Sequence, residues 1–227
     1  MIIKVSGMRD AENINAVAAL GVDIIAFDFR KGSERFVSMV PSYAGIIPDY
    51  AGGEAVSLDN SPESGRAMLS GTFSDDMPQT IVTRIYNYNL HCVELCGSES
   101  STMIENLRRT VVPDIRRELK VMKRVPLDEA ESAAARYGHG GLADMLVVEN
   151  RIGCLSDADC RCVVERLRGC GARMPFLVGG CVDERLLEHL LGARLNGFVG
   201  VDLNECCETA PGVKDVEKIK RLKAMLG

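Results

Sequence analysis

Eight short apolar runs alternate with eight amphipathic stretches along the 227 residues, and this alternation predicts an α/β fold, a single (β/α)8 TIM barrel. Three observations carry the prediction. The apolar runs are too short for helices and read as parallel strands covered on both faces. The stretches between them repeat their apolar residues with helical periodicity. The length suits a barrel at the small end of that fold's range, which starts at about 200 residues. An open doubly wound sheet is the competing architecture, but no G-x-G-x-x-G follows the first run.

The first run, 2–5 (IIKV), leads to a helical pattern at 10–20. Asp10 can cap that helix, with Asn13 in its first turn and Leu20-Gly21 at its end. The second run, 23–29 (DIIAFDF), precedes a helical pattern at 41–49. Residues 50–66 (YAGGEAVSLDNSPESGR) break the rhythm and read as a mobile loop insertion, because Gly, Ser, Pro and Glu dominate. In a barrel it would lie on the face away from the active site, as a tolerated surface insertion or a partner-binding loop. The third run, 69–74, precedes a helix at 77–88 in which Pro78 follows an acidic pair. Runs at 91–95, 119–123, 143–149, 174–178 and 197–203 pair with helical patterns at 98–110, 127–137, 156–169, 182–191 and 213–226. Pro211-Gly212 introduces the last helix.

A net charge of −5 leaves no basic field for nucleic acid or an anionic membrane, and neither is expected as a partner. No apolar run approaches the roughly 18 residues of a membrane span. The chain opens on a strand pattern without a signal-peptide signature, so a cytoplasmic protein is expected. Nine cysteines, an odd number, argue against a closed disulfide framework, and in a reducing cytosol they should be free thiols. Cys160-x-Cys162 and Cys206-Cys207 do not form paired C-x2-C knuckles, and no metal site is expected. Most are read as small buried hydrophobes. Cys96, Cys154, Cys181 and Cys206, however, each follow a strand end, and a barrel could gather them at its mouth for soft-metal or redox chemistry.

Asp28 is unexpected in the apolar run Ile24-Ile25-Ala26-Phe27-Asp28-Phe29. Alternation can turn it inward, where Lys4 is the expected partner if Ser6 also faces inward. Such a pair is structural, or else marks a pocket in which Asp28 supplies a base.

The segment Ile2-Ile3-Lys4-Val5-Ser6-Gly7-Met8 resembles the opening strand of the phosphoribosylanthranilate isomerases of tryptophan biosynthesis. Asp10-Ala11-Glu12-Asn13 and Ala19-Leu20-Gly21-Val22-Asp23 are similar to that family's first helix and the start of its second strand. Phe27-x-Phe29 with Lys31-Gly32-Ser33-Glu34-Arg35-Phe36-Val37 resembles its F-x-F-x-P-K-S-x-R-Y-V. Gly71-Thr72-Phe73 and Asp75-Asp76-Met77-Pro78 stand at its third strand and loop, and Val93-Glu94-Leu95-Cys96-Gly97-Ser98-Glu99 resembles V-Q-L-H-G-x-E. Leu177-Val178-Gly179-Gly180 resembles L-x-G-G, and Val201-Asp202-Leu203-Asn204 through Glu208–Asp215 resembles the closing strand, loop and helix start. Together these pieces extend over nearly the whole chain in order.

The resemblance implies an Amadori rearrangement without a cofactor. A general acid helps open the furanose ring and a general base takes the proton from C2, each worth about 10²–10⁴ in rate. The family's base is a first-strand cysteine, here Ser6, and its acid is an aspartate ending the sixth strand, here Glu149. A serine hydroxyl ionises far above a thiol and needs its own activating base. Glu149 is one methylene longer than the aspartate, and a misplacement of about 1 Å can cost about 10²-fold. The resemblance places phosphate on the Gly179-Gly180 backbone and on the loop after strand eight, where Asn204-Glu205-Cys206 stands for Ser-Ser-Gly. Arg35 would meet the anthranilate carboxylate, Cys96 stands for a histidine, and Asp202 is retained. Arg151–Asp159 carries one glycine and two aspartates where the family has a glycine-rich closing loop. The expectation is an isomerase-like monomer or homodimer acting on a small phosphorylated molecule, its turnover weakened or lost. The alternative is a non-catalytic paralogue that binds a phosphorylated small molecule or a protein.

Overall fold

The computed structural model describes residues 1–38, 67–152, 156–170 and 173–227. Eight strands form within them: β1 (Ile2–Ser6), β2 (Ile24–Asp28), β3 (Met68–Phe73), β4 (Cys92–Leu95), β5 (Lys120–Pro126), β6 (Met145–Asn150), β7 (Phe176–Gly180) and β8 (Phe198–Leu203). They close in chain order into a parallel barrel, with β1 pairing to both β2 and β8. The helices among the described residues are α1 (Ala11–Ala19), α2 (Pro78–Asn87), α3 (Ser101–Asp114), α4 (Ala130–Gly138), α5 (Asp157–Leu167), α6 (Glu184–Ala193) and α7 (Val216–Leu226). The fold is the expected (β/α)8 barrel. The expected helix at 41–49 and the loop insertion at 50–66 lie outside the described residues.

Local chemistry accounts for the helix boundaries. Asp10 accepts from the Asn13 amide at 2.8 Å to start α1, and Gly21 follows its end with φ +70°. Pro78 opens α2 at a position with no amide to satisfy. A reciprocal pair between Ser156 and Asp159 caps α5, and Asp215 caps α7 through the Lys218 amide at 2.9 Å. Pro211-Gly212 differs from its expected place. It forms the turn between two further short strands, β9 (Glu208–Ala210) and β10 (Val213–Lys214), with Gly212 at φ +83°. The last helix therefore begins only at Val216.

Outward strand residues such as Val5, Phe27, Val93, Val148 and Val201 pack against helix residues such as Ile14, Ile81, Leu107, Val163 and Ile219 in one buried core. Each such side chain contributes about 1.5–3 kcal/mol by leaving water. Inside the barrel, Cys92, Met122, Val147 and Leu177 form a separate apolar cluster, with Ile2, Met68 and Met145 packed on it. One pleat further along the strands the lumen turns polar, and that layer supports the mouth.

Candidate active site

Strand alternation puts Lys4 and Ser6 on one face of β1, both inward. Lys4 is fully buried and lies 2.7 Å from Glu94 of β4 and 3.0 Å from Asp202 of β8. Arg124 of β5 closes the circuit, with Nε 2.6 Å from Glu94 and Nη2 2.5 Å from Asp202. Two cations and two carboxylates thus alternate in a lumen where the most exposed of the four side chains is only 9% accessible. Burial alone would push the Glu94 carboxyl upward, but Arg124 and Lys4 outweigh it and hold it well below the ordinary range. Burial likewise opposes the charge on Lys4, yet Asp202 and Glu94 prevail and raise its ammonium. Arg124 is raised in the same way by Glu94 and Asp202.

Ser6 is tied into this circuit. Its Oγ accepts from the Lys4 ammonium and donates to Asp202 Oδ1 at 2.5 Å. The hydroxyl proton is committed to a carboxylate already engaged by two cations, and a lone pair is committed to an ammonium. The buried His91 sits at the opposite end of the barrel, its Nδ1 3.2 Å from the Leu69 amide, so it cannot activate Ser6. Glu149, next to last in β6, lies at the rim, 23% accessible. Its oxygens meet Arg151 at 2.7 Å and Arg124 at 3.5 Å. Arg124 is therefore the common partner of Glu94, Asp202 and Glu149. A cavity of about 740 Å³ opens beside the mouth, lined among others by Cys96, Arg124, Ser98 and Arg136.

A family model for N-(5′-phosphoribosyl)anthranilate (PRA) isomerase matches residues 53–224. The chain belongs to the PRA isomerase family. A PRA isomerase from Parabacteroides distasonis is 28% identical over 220 residues, covering 97% of this chain and 90% of the relative. One from Phocaeicola vulgatus is 27% identical over 215 residues, covering 95% and 92%. The crystal structure of the Thermus thermophilus PRA isomerase superposes with a TM-score of 0.70 at 22% identity, covering 100% of this chain and 98% of its own. A PRA isomerase solved with reduced 1-(o-carboxyphenylamino)-1-deoxyribulose 5-phosphate gives 0.66 at 17% identity, covering 98% and 96%. The two structural matches establish the shared barrel.

Against the PRA isomerase pattern, Arg35 lies over the start of the first loop. A Cβ on Gly7, whose φ is +70°, would sit 2.6 Å from Arg35 Cδ and 2.8 Å from Asn204 Oδ1. The Arg35 guanidinium is raised by its hydrogen bonds to Glu208, at 2.8 Å from Nε and 2.6 Å from Nη2, and Glu205 lies 3.4 Å away. The fork expected to receive a ligand carboxylate is thus already on a protein carboxylate. Glu208 also meets Lys214 at 2.5 Å, and Lys214 donates to Asn204 at 3.0 Å. Burial pushes the Lys214 ammonium down despite Glu208.

Gly179 and Gly180 close β7; packing demands a glycine at 180 and leaves little room at 179. A Cβ on Gly179 would lie 3.2 Å from Asp202 Cβ, and on Gly180 (φ +84°) 2.0 Å from the Asn150 carbonyl oxygen.

Two expectations change. Asp28 does not pair with Lys4. It curls back to its own loop, accepting from Arg30 Nε and Nη2 at 2.9 and 2.7 Å and from Ser33 at 2.7 Å. Burial would raise its carboxyl, but the bonds to Arg30 and Ser33 outweigh it and lower it, so Asp28 is not a spare base. Of the four mouth cysteines, Cys96 is drawn to a carboxylate and not to a thiol. Cys96 donates to Glu94 at 3.3 Å, and burial with that neighbouring charge drives its thiol far up. Cys154 lies outside the described residues. Among the described residues no cluster of three or more His, Cys, Asp or Glu is arranged for a metal. None of their helices is long and apolar enough to cross a membrane.

Sequence reasoning missed Arg124 and the pairing role of Glu94. Their signal was present: charge at an inward register in otherwise apolar strands. The fifth apolar run stops at residue 123, one position before Arg124, whereas β5 continues to Pro126.

Proposed function

We propose that this chain is a PRA isomerase-like protein of the cytoplasm that takes N-(5′-phosphoribosyl)anthranilate, or a close phosphorylated relative, at the barrel mouth and rearranges it weakly. One observation carries the reading: Ser6 Oγ is held between the Lys4 ammonium and Asp202, with no neutral base beside it among the described residues. In the family's chemistry the residue at this place removes the C2 proton. A hydroxyl fixed as a structural hydrogen-bond relay has neither the acidity of a thiol nor a helper. Glu149 remains at the rim, close enough to the mouth to serve ring opening as the acid. Ring opening thus keeps a carboxyl at the rim while C2 deprotonation lacks a competent base, and the proposed slow step is C2 deprotonation. Gly179-Gly180 and Asn204 supply the backbone and amide surface proposed for the phosphate, with Arg35 released from Glu208 to meet the carboxylate.

A fluorescence assay following loss of phosphoribosylanthranilate tests this in the unaltered protein and in Ser6→Cys. The expected result is slow turnover that rises about 10²-fold or more in Ser6→Cys, the usual worth of one proton transfer. Equal turnover in the two proteins would overturn the reading.

A further inference from the structure

A buried hydroxyl without a partner draws attention to the cavity of about 740 Å³, which is walled by the loops after β4 and β5 and by α4. Tyr137 of α4 is 7% exposed, lines this cavity, and has the Lys123 ammonium 5.8 Å above its ring. Buried tyrosine hydroxyls ordinarily find a partner, as Tyr88 does on the Ser38 carbonyl at 3.0 Å. The Tyr137 hydroxyl has none among the described residues, so the cavity is where its partner must come from. The same cavity takes in the start of the 14-residue helix α3, at Ser100 and Ser101. Ser100 Oγ accepts from the Met103 amide at 3.2 Å. The Ser101 and Thr102 amides come too early in α3 to find an acceptor within it, and the positive end of the helix dipole lies there. Arg136 adds an exposed guanidinium that pairs with no carboxylate among the described residues. Of the two carboxylates in the lining, Glu99 is already engaged by Lys123 at 2.7 Å and by the Asp75 and Gly97 amides at 3.1 Å each. Glu129 is exposed and opposes the donors.

We propose that this cavity binds the phosphate group of a small organic phosphate, on the β4–β5 side of the barrel and apart from the Gly179-Gly180 backbone of β7. The donors suit that group. A phosphate offers three acceptor oxygens, and amides of α3, the Tyr137 hydroxyl and the Arg136 fork are donors from two different helices. The volume exceeds what a phosphate alone fills, and the cavity runs on to Cys96 and Arg124 at the mouth, which leaves room for the organic part. The site does not depend on the isomerase reading, because neither Ser6 nor Glu149 belongs to it.

The test titrates isotope-labelled full-length protein with ribose 5-phosphate, and with ribose as the control, while NMR follows the backbone amides. The expected result is saturable movement of the Ser101 and Thr102 amides with ribose 5-phosphate and none with ribose. Tyr137→Phe keeps the ring and removes the hydroxyl, and Arg136→Gln removes an exposed guanidinium. Each should weaken binding about tenfold, the worth of one charge-assisted hydrogen bond. Ser101→Pro deletes an amide where proline suits a helix, because Ser100 already has the extended backbone (φ −72°, ψ 156°) that a following proline requires. It should weaken binding to a similar degree, whereas Glu129→Gln should tighten it. Circular dichroism without ligand checks that each variant keeps the fold, and Tyr137→Phe and Arg136→Gln carry the test if Ser101→Pro does not. No saturable shift at Ser101 and Thr102 would overturn the proposal, even where Gly179, Gly180 and Asn204 respond as the isomerase reading expects. So would affinity that Tyr137→Phe and Arg136→Gln both leave unchanged.

Discussion

Replacing Arg124 with methionine removes one of two cations from the polar layer of the lumen. The guanidinium makes contacts of 2.6 Å to Glu94 and 2.5 Å to Asp202, with Glu149 at 3.5 Å. Hydrogen bonds to charged groups contribute about 1.5–3 kcal/mol each, so the two short ones together come to about 3–6 kcal/mol. Breaking a buried ion network from one side costs about 3–5 kcal/mol, because the remaining charge keeps its desolvation penalty. Lys4 would be left facing Glu94 and Asp202 alone. Arg124→Met should therefore lose about 3–5 kcal/mol at pH 7, measured by urea unfolding as a lower midpoint with unchanged slope. Adding Glu94→Gln restores neutrality around Lys4 and Asp202, and should recover about 2 kcal/mol.

The pH dependence follows from the same groups. Glu94 titrates far lower folded than its unfolded value of 4.5, so its contribution is present above pH 4.5 and fades as pH falls toward the folded value. Glu94→Gln should remove that acid-sensitive share. Lys4 is raised above 10.5, so its contribution is present below that pH and is lost as pH climbs through the folded value. A cost under about 1 kcal/mol for Arg124→Met, or a double variant weaker than the single one, would refute this account of the lumen.

Three further predictions rest on separate contacts. Gly180→Ala forces a Cβ to within 2.0 Å of the Asn150 carbonyl oxygen at φ +84°, and should lose at least about 2 kcal/mol in urea unfolding. Ser156→Ala removes the cap on α5 and should cost about 1 kcal/mol by the same measurement, with the helix otherwise intact in circular dichroism. Glu208→Gln frees charge on Arg35 and should tighten anthranilate binding about tenfold in a fluorescence titration, the worth of one charge-assisted hydrogen bond. Unchanged affinity would remove Arg35 from the ligand site.

The barrel was legible because parallel strands covered on both faces must be short and apolar, and each of the eight expected runs overlaps an observed strand. Asp10 and Pro78 marked helix starts for reasons local to the chain. Pro211-Gly212 was ambiguous, since the same pair suits a tight turn or a helix start. Alternation put Lys4 on the same inward face as Ser6, as observed. It could not choose the partner of Lys4, because Asp28 can bend to Arg30 within its own loop while Glu94 reaches across from β4. Pairing across a closed barrel depends on side-chain reach and on the diameter of the ring, neither of which is a property of any single strand.

Turnover of phosphoribosylanthranilate in the unaltered protein beside Ser6→Ala bears most directly on the central claim, that Ser6 is a fixed relay between Lys4 and Asp202 and not a base. The account predicts slow turnover that differs by less than about threefold between the two proteins, since losing a single catalytic proton transfer would cost about 10² or more. A drop of that size in Ser6→Ala, with its fold intact by circular dichroism, would contradict it.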